Sequence, residues 1–213
     1  MKIVLQFLLL VAIAALAYVC VQSIMAPINF KKQREERENA ISERLIIIRN
    51  VQIGYRNYAG TGGYAGSFED LQKFLNKVEI PFITKEGDLT DDQLKAGMTE
   101  KEAVKKGLIK RDTTFVLAKD TLLSKNFDIA SIGKVPGFEN EQFKLDTATL
   151  TSPSGYAVPV FEASVQYDVF LGDLDRQELI NLKDMRTKMK RFTGLKVGSV
   201  TEINNNAGNW ESL

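Results

Sequence analysis

Histidine is absent from this chain of 213 residues. That absence excludes Ser-His-Asp and Cys-His nucleophilic arrangements and every metal site that needs an imidazole. Cysteine is nearly absent too. Cys20 is the only one, it lies inside the apolar N-terminal run, and a single thiol closes no intramolecular disulfide. An excess of charge of one sign is also missing, since 28 basic residues face 27 acidic ones. No global field therefore recruits nucleic acid or an acidic ligand. The glycine-rich "GTGGYAG" (60–66) follows no strand and precedes no Gly-Lys-Ser/Thr, so it lacks the context of a phosphate-binding loop.

What the chain has in abundance is one long hydrophobic run. "IVLQFLLLVAIAALAYVCVQSIMA" extends from Ile3 to Ala26 without a charged residue. About 20 apolar residues in a helix span the hydrocarbon core of a bilayer. Pro27 is expected to end that helix or to kink it at the interface. A secretory signal peptide has a shorter apolar core and a small-x-small cleavage site, whereas "VQSIMAP" makes a poor one. A lipoprotein signal needs a small residue before the cysteine, and Val19 stands there. An uncleaved single-pass anchor is the expectation, with both processed forms as alternatives. Its orientation is contested by charge. Only Lys2 precedes the run, while Lys31, Lys32, Arg34, Arg37 and Arg44 follow it, which by the positive-inside rule places the head in the cytoplasm.

Beyond a solvated segment "KKQREER", Ile41, Leu45, Ile48, Val51, Tyr55 and Tyr58 recur at helical spacing. This stripe predicts a stalk helix continuing from the membrane, packed either on a sheet or along a partner. "GTGGYAG" then reads as a loop, and Ser67 with Asp70 three residues on opens a helix whose inward face is Leu71, Phe74, Leu75 and Val78. Two more capped turns follow, one from Thr90 with Gln93 and a Gly97 stop, one from Thr99 with Glu102 and a Gly107 stop. Strands are expected at 79–84, 113–118, 143–150, 156–170 and 195–203, with Pro159 marking an edge or a bulge. A helix carrying Leu174, Leu179, Leu182, Met185, Met189 and Phe192 is expected to end near Gly194. The polar tail is either loose or pinned by Trp210. The fold class is therefore α+β: a transmembrane helix (1–30), a stalk helix (31–59) and a small head (60–213) with short helices and a mainly antiparallel sheet.

Carboxylates are the remaining catalytic currency. The clusters "GDLDRQE" (172–178) and "EGDLTDDQ" (86–93) lack the central glycine and alternating oxygen ligands of a calcium loop, and helix caps explain them. No catalytic, metal or cofactor residue set emerges, and no small-molecule substrate is identified.

The run Arg49, Gln52, Tyr55, Tyr64, Ser67, Asp70 and Leu71, placed after an apolar helix, resembles the layout of type IV pilins and pseudopilins. The apolar run follows no basic leader ending in glycine, so the resemblance does not extend to peptidase processing or polymerisation. Through "GLKVGSVTEINNNAGNW" the whole chain is similar to single-span envelope proteins of Bacteroidetes-type bacteria, a likeness that brings no activity with it. In that context Asp112-Thr113-Thr114, Asp120-Thr121-Leu122 and Asp146-Thr147-Ala148 fit the glycosylation motif of exported proteins. The expectation is a non-enzymatic inner-membrane protein with an extracytoplasmic head, pilin-like or part of an assembly scaffold in a cell-envelope machine. It would meet other envelope proteins or itself through the anchor and the stalk stripe. A cytoplasm-facing scaffold or regulator and a carboxylate-dependent envelope hydrolase are the alternatives.

Overall fold

The computed structural model describes residues 2–87, 90 and 97–211. The helices are α1 (Lys2–Tyr58), α2 (Phe68–Lys77), α3 (Glu100–Lys105), α4 (Ala118–Leu122), α5 (Tyr167–Leu171) and α6 (Arg176–Lys188). The strands are β1 (Glu79–Glu86), β2 (Lys110–Leu117), β3 (Lys134–Val135), β4 (Phe138–Gln142), β5 (Lys144–Thr151), β6 (Ala157–Gln166) and β7 (Gly194–Gly198). Every strand pairing is antiparallel, in sheets β1-β2, β3-β4 and β5-β6-β7. The class is the α+β head behind an apolar helix that the residue pattern predicts.

Among the described residues α1 is the one helix long and apolar enough to cross a membrane, and its apolar window is fully exposed. Ile3, Phe7, Leu10, Leu16 and Ile24 are each more than half exposed. A contiguous apolar surface of that length is unfavourable in water, which is the physical case for a bilayer around it. Pro27 does not end the helix, contrary to the first of the two expectations, for α1 continues to Tyr58. The ring removes one i→i−4 donor, leaving the Ser23 carbonyl without its helical partner, and the turns beyond hold the helix.

Two compact units divide the chain: Met1–Arg49 with Ser131–Leu213, and Asn50–Ala130. The division differs from the expected stalk at 31–59 and head at 60–213. In the first unit Phe30, Ile41, Leu45 and Ile48 of α1 are buried, and so are Phe161, Ala163 and Val165 of β6 and Leu195 and Val197 of β7. Packing therefore begins within four residues of Ala26, and no free stalk intervenes. The strand expected at 156–170 stops at Gln166, where the chain coils into α5. Tyr167, Phe170 and Leu171 are all buried, and their i, i+3, i+4 spacing is the helical signal within that apolar run. Strand β7 stops at Gly198, whose φ of +72° is left-handed and whose Cβ would lie 2.2 Å from the Phe161 carbonyl oxygen. Pro159 pairs with Thr149 of β5, while β7 engages only Glu162 to Gln166. Its missing N–H thus falls on an open edge.

The tail is pinned, and the bonds that hold it are made by Asn209 and Glu211. Asn209 donates its backbone N–H to the Lys196 carbonyl, accepts the Lys196 N–H on its side-chain oxygen, and donates its side-chain amide to the Gly194 carbonyl. Glu211 pairs with Arg49 of α1 at 2.7 Å.

In the second unit the "GTGGYAG" loop has Gly60 and Gly62 at positive φ, as its composition predicts. Gln52, fully buried on α1, clamps it: its amide donates to the Ala65 carbonyl and its carbonyl oxygen accepts the Ala65 N–H, both at 2.9 Å. Ser67 caps α2 through the Asp70 N–H, and Thr99 with Glu102 forms a complete capping box on α3. Most of the helix expected to start from Thr90 lies outside the described residues.

Candidate functional site

The stripe expected to face a partner is taken up by the chain's own core. Ile41, Leu45, Ile48 and Val51 are completely buried. Tyr55 is half-buried with its ring edge-on to Phe74, centroids 5.4 Å apart, and Tyr58 alone is exposed. This corrects the interaction role for the four aliphatic residues. An intramolecular sheet or helix satisfies an apolar stripe without the translational cost of recruiting a second chain.

Polar chemistry concentrates instead at the junction of α1 with α5 and α6, within the first unit. Arg37 forks onto the Asp173 carboxylate, with one arm at 2.8 Å and the other shared with the Phe170 carbonyl. That hydrogen bond holds the Asp173 carboxyl below its ordinary range. One turn away Arg34 and Glu38 approach to 3.5 Å, and Glu38 also faces Arg186 of α6 and Tyr167 of α5. Arg34 Nε, Glu38 Oε1, Tyr167 OH and Arg186 Nε are buried without completing a well-formed hydrogen bond. Burial raises the Glu38 carboxyl above its usual value by more than the nearby Arg34 and Arg186 lower it. Burial also raises the Tyr167 phenol, and the Glu38 charge adds to that. A buried charge held by two arginines is a costly device that fixes which surfaces meet, here α5 and α6 against α1. Sequence reasoning missed this cluster, since only the i, i+4 spacing of Arg34 and Glu38 was visible.

Close to the end of the apolar run, a recess of about 310 Å³ opens between α1 and α6, with Pro27, Phe30, Leu182 and Met185 as apolar lining and Lys31 and Arg34 as cations. An adjoining recess of about 400 Å³ is lined by Ala26, Asn29, Gln33, Asp173 and Asp175. At 1.5 Å per residue the α1 members of these linings, the last of them Arg34, stand within about 12 Å of Ala26 along the helix. That interval takes in the headgroup layer if the run lies in a bilayer.

The acids of "GDLDRQE" have structural partners: Asp173 holds Arg37, and Asp175 caps α6 by accepting the Glu178 N–H at 3.0 Å. Asp168 pairs with Lys183, and Glu162 with Lys196. Most of "EGDLTDDQ" lies outside the described residues. Among the described residues no group of three or more His, Cys, Asp or Glu is placed to hold a metal ion. No family model, curated protein or solved structure matches the chain.

Proposed function

We propose that the protein is a non-enzymatic, single-pass inner-membrane protein whose α+β head lies outside the cytoplasm and serves as a pilin-like or scaffold component of an envelope assembly. One observation carries this reading: a single helix is exposed and apolar from Ile3 to Ile24 and then buried at Phe30, Ile41, Leu45 and Ile48. Such a helix couples the anchor mechanically to the fold, and tethering in the membrane plane raises the local concentration of any partner surface. The use of acids for caps and ion pairs favours a scaffold over a carboxylate-dependent hydrolase. The basic residues after the span favour a cytoplasmic head as the second reading. Three of those five have work inside the fold: Arg34 with Glu38, Arg37 with Asp173, and Arg44 donating to the Ser131 carbonyl. That gives them a reason to be present besides topology.

The test is accessibility in intact cells. Cys20→Ser removes the native thiol, and Ser154→Cys places one in the exposed turn between β5 and β6. Labelling by a membrane-impermeant maleimide before lysis is the expected result. Labelling only after lysis transfers the protein to the cytoplasm-facing reading. Crosslinking from the same cysteine should then recover a small, reproducible set of envelope partners, and a random set of neighbours would count against the scaffold role.

A further inference from the structure

Four cationic side chains meet around one recess of about 330 Å³ in the first unit: Arg186 near the end of α6, Lys190 and Arg191 just past it, and Lys196 on β7. Thr201 and Asn209 add polar atoms, and Glu202 is the one acid in the lining. Basic residues at a helix C-terminus complement its dipole, which accounts for part of this cluster. It accounts neither for Lys196, which comes from a strand, nor for the backbone at Lys190.

That backbone is left-handed, with φ +54°. The chain leaves α6 through a Schellman motif: the Arg191 N–H bonds the Arg186 carbonyl and the Lys190 N–H bonds the Thr187 carbonyl, both at 2.9 Å. The left-handed position of this motif normally holds glycine, because any Cβ there is strained. A lysine kept in that place, with glycine the easier choice, is the kind of local strain that collects at ligand clamps. Among the described residues neither Lys190 nor Arg191 has a carboxylate partner. Arg186 reaches the recess from the Glu38 and Tyr167 cluster and is shared with it. Lys196 is the fixed member, held by Glu162 at 2.9 Å and lying over the Phe192 ring.

We propose that this recess binds a phosphate-type dianion, a phosphate monoester or diphosphate group. Lysine ammonium groups supply mobile point charges and the arginine forks supply paired donors, the combination that recognises phosphate oxygens. The proposal is independent of which side of the membrane holds the head. The same chemistry is offered by a soluble phosphate compound and by a lipid headgroup.

The probe is radiolabelled inorganic pyrophosphate, measured by equilibrium dialysis against the full chain in neutral detergent micelles. Emission of Trp210, the only tryptophan and the neighbour of Asn209, is a second readout. Saturable binding with half-saturation below about 1 mM is expected. Arg191→Ala should weaken it about tenfold, as the loss of one charge-assisted hydrogen bond does. Lys190→Gly should weaken it similarly while raising Tm by about 2–4 °C, because the strain disappears with the charge. No saturable binding up to about 10 mM would overturn the proposal. So would binding by both variants within about twofold of the parent chain, since a contact to either side chain is worth more than that. Repeating the titration in nanodiscs of neutral and of anionic lipid separates the sources. Pyrophosphate excluded only by anionic lipid identifies a headgroup as the occupant, and equal binding in both identifies a soluble ligand.

Discussion

Gln52 is a polar residue with no exposed surface on a helix face that is otherwise aliphatic. Its amide closes a two-bond ring with the Ala65 backbone, fixing a loop whose glycines would otherwise leave it free. Gln52→Leu keeps the volume and removes both bonds, leaving a buried N–H and carbonyl without partners. The expected cost is about 1–3 kcal/mol, read from the denaturant midpoint at unchanged slope. Glu38 and Asp173 act at the same junction with opposite signs. The folded Glu38 carboxyl titrates above its ordinary 4.5 because burial opposes its charge, so the native state holds that proton longer than the unfolded chain. Its contribution to stability is present at acid pH and is lost as pH rises from 4.5 through the raised value. The Asp173 carboxyl, lowered from 3.8 by Arg37, contributes above that pH and loses its contribution as pH falls. Glu38→Gln should therefore flatten the decline in unfolding free energy above pH 4.5 while the acid limb persists. An unchanged profile would mean that the buried cluster does not couple to folding.

At the scale of elements, α1 is the organising piece because its surface changes character along its length. Its first part presents apolar side chains on all sides, and its later part is amphipathic, with Ile41, Leu45 and Ile48 inward. Ile48→Ala should cost about 2–5 kcal/mol, as other truncations of buried aliphatic residues do, measured by chemical unfolding of the full chain. Had the stripe served a partner, the same change would weaken association and leave the stability of the isolated chain nearly unaltered. The helical periodicity was fully legible in the residues. The surface it meets was not, because a stripe that packs on its own chain and one that packs on another have the same spacing. Strand β6 shows the complementary failure. A run of apolar residues reads as strand by composition, and its last four residues are helical because the buried positions change period at Tyr167.

For the whole molecule, the candidate membrane-spanning segment lies in residues that the head does not use. Removing residues 2–26 is expected to release the head from the pelleted membrane fraction into the supernatant, with the near-ultraviolet circular dichroism of the full chain retained. The physical basis is that every strongly exposed aliphatic position from Ile3 to Ile24 lies outside the buried core, which on α1 begins with Phe30. A deletion variant that stays with the membranes would point to a second attachment on the head.

The amino-acid sequence alone determined the apolar run, the helical stripe, the capped turns at Ser67 and Thr99 and most strand positions, because each is a local pattern repeated at the period of its own backbone. It also determined the absence of imidazole and of a disulfide. Tertiary structure alone decided that Pro27 is passed over, that Ile41, Leu45, Ile48 and Val51 pack inside the chain, and that the tail closes on β7 through Asn209. The meeting of Arg34, Glu38, Tyr167 and Arg186 belongs to the same class. Those residues are separated by up to 152 positions between Arg34 and Arg186, and no local period encodes a contact at that distance. What brings them together is the burial of apolar surface elsewhere, which fixes the backbones first and leaves the charges to find partners or to remain without one.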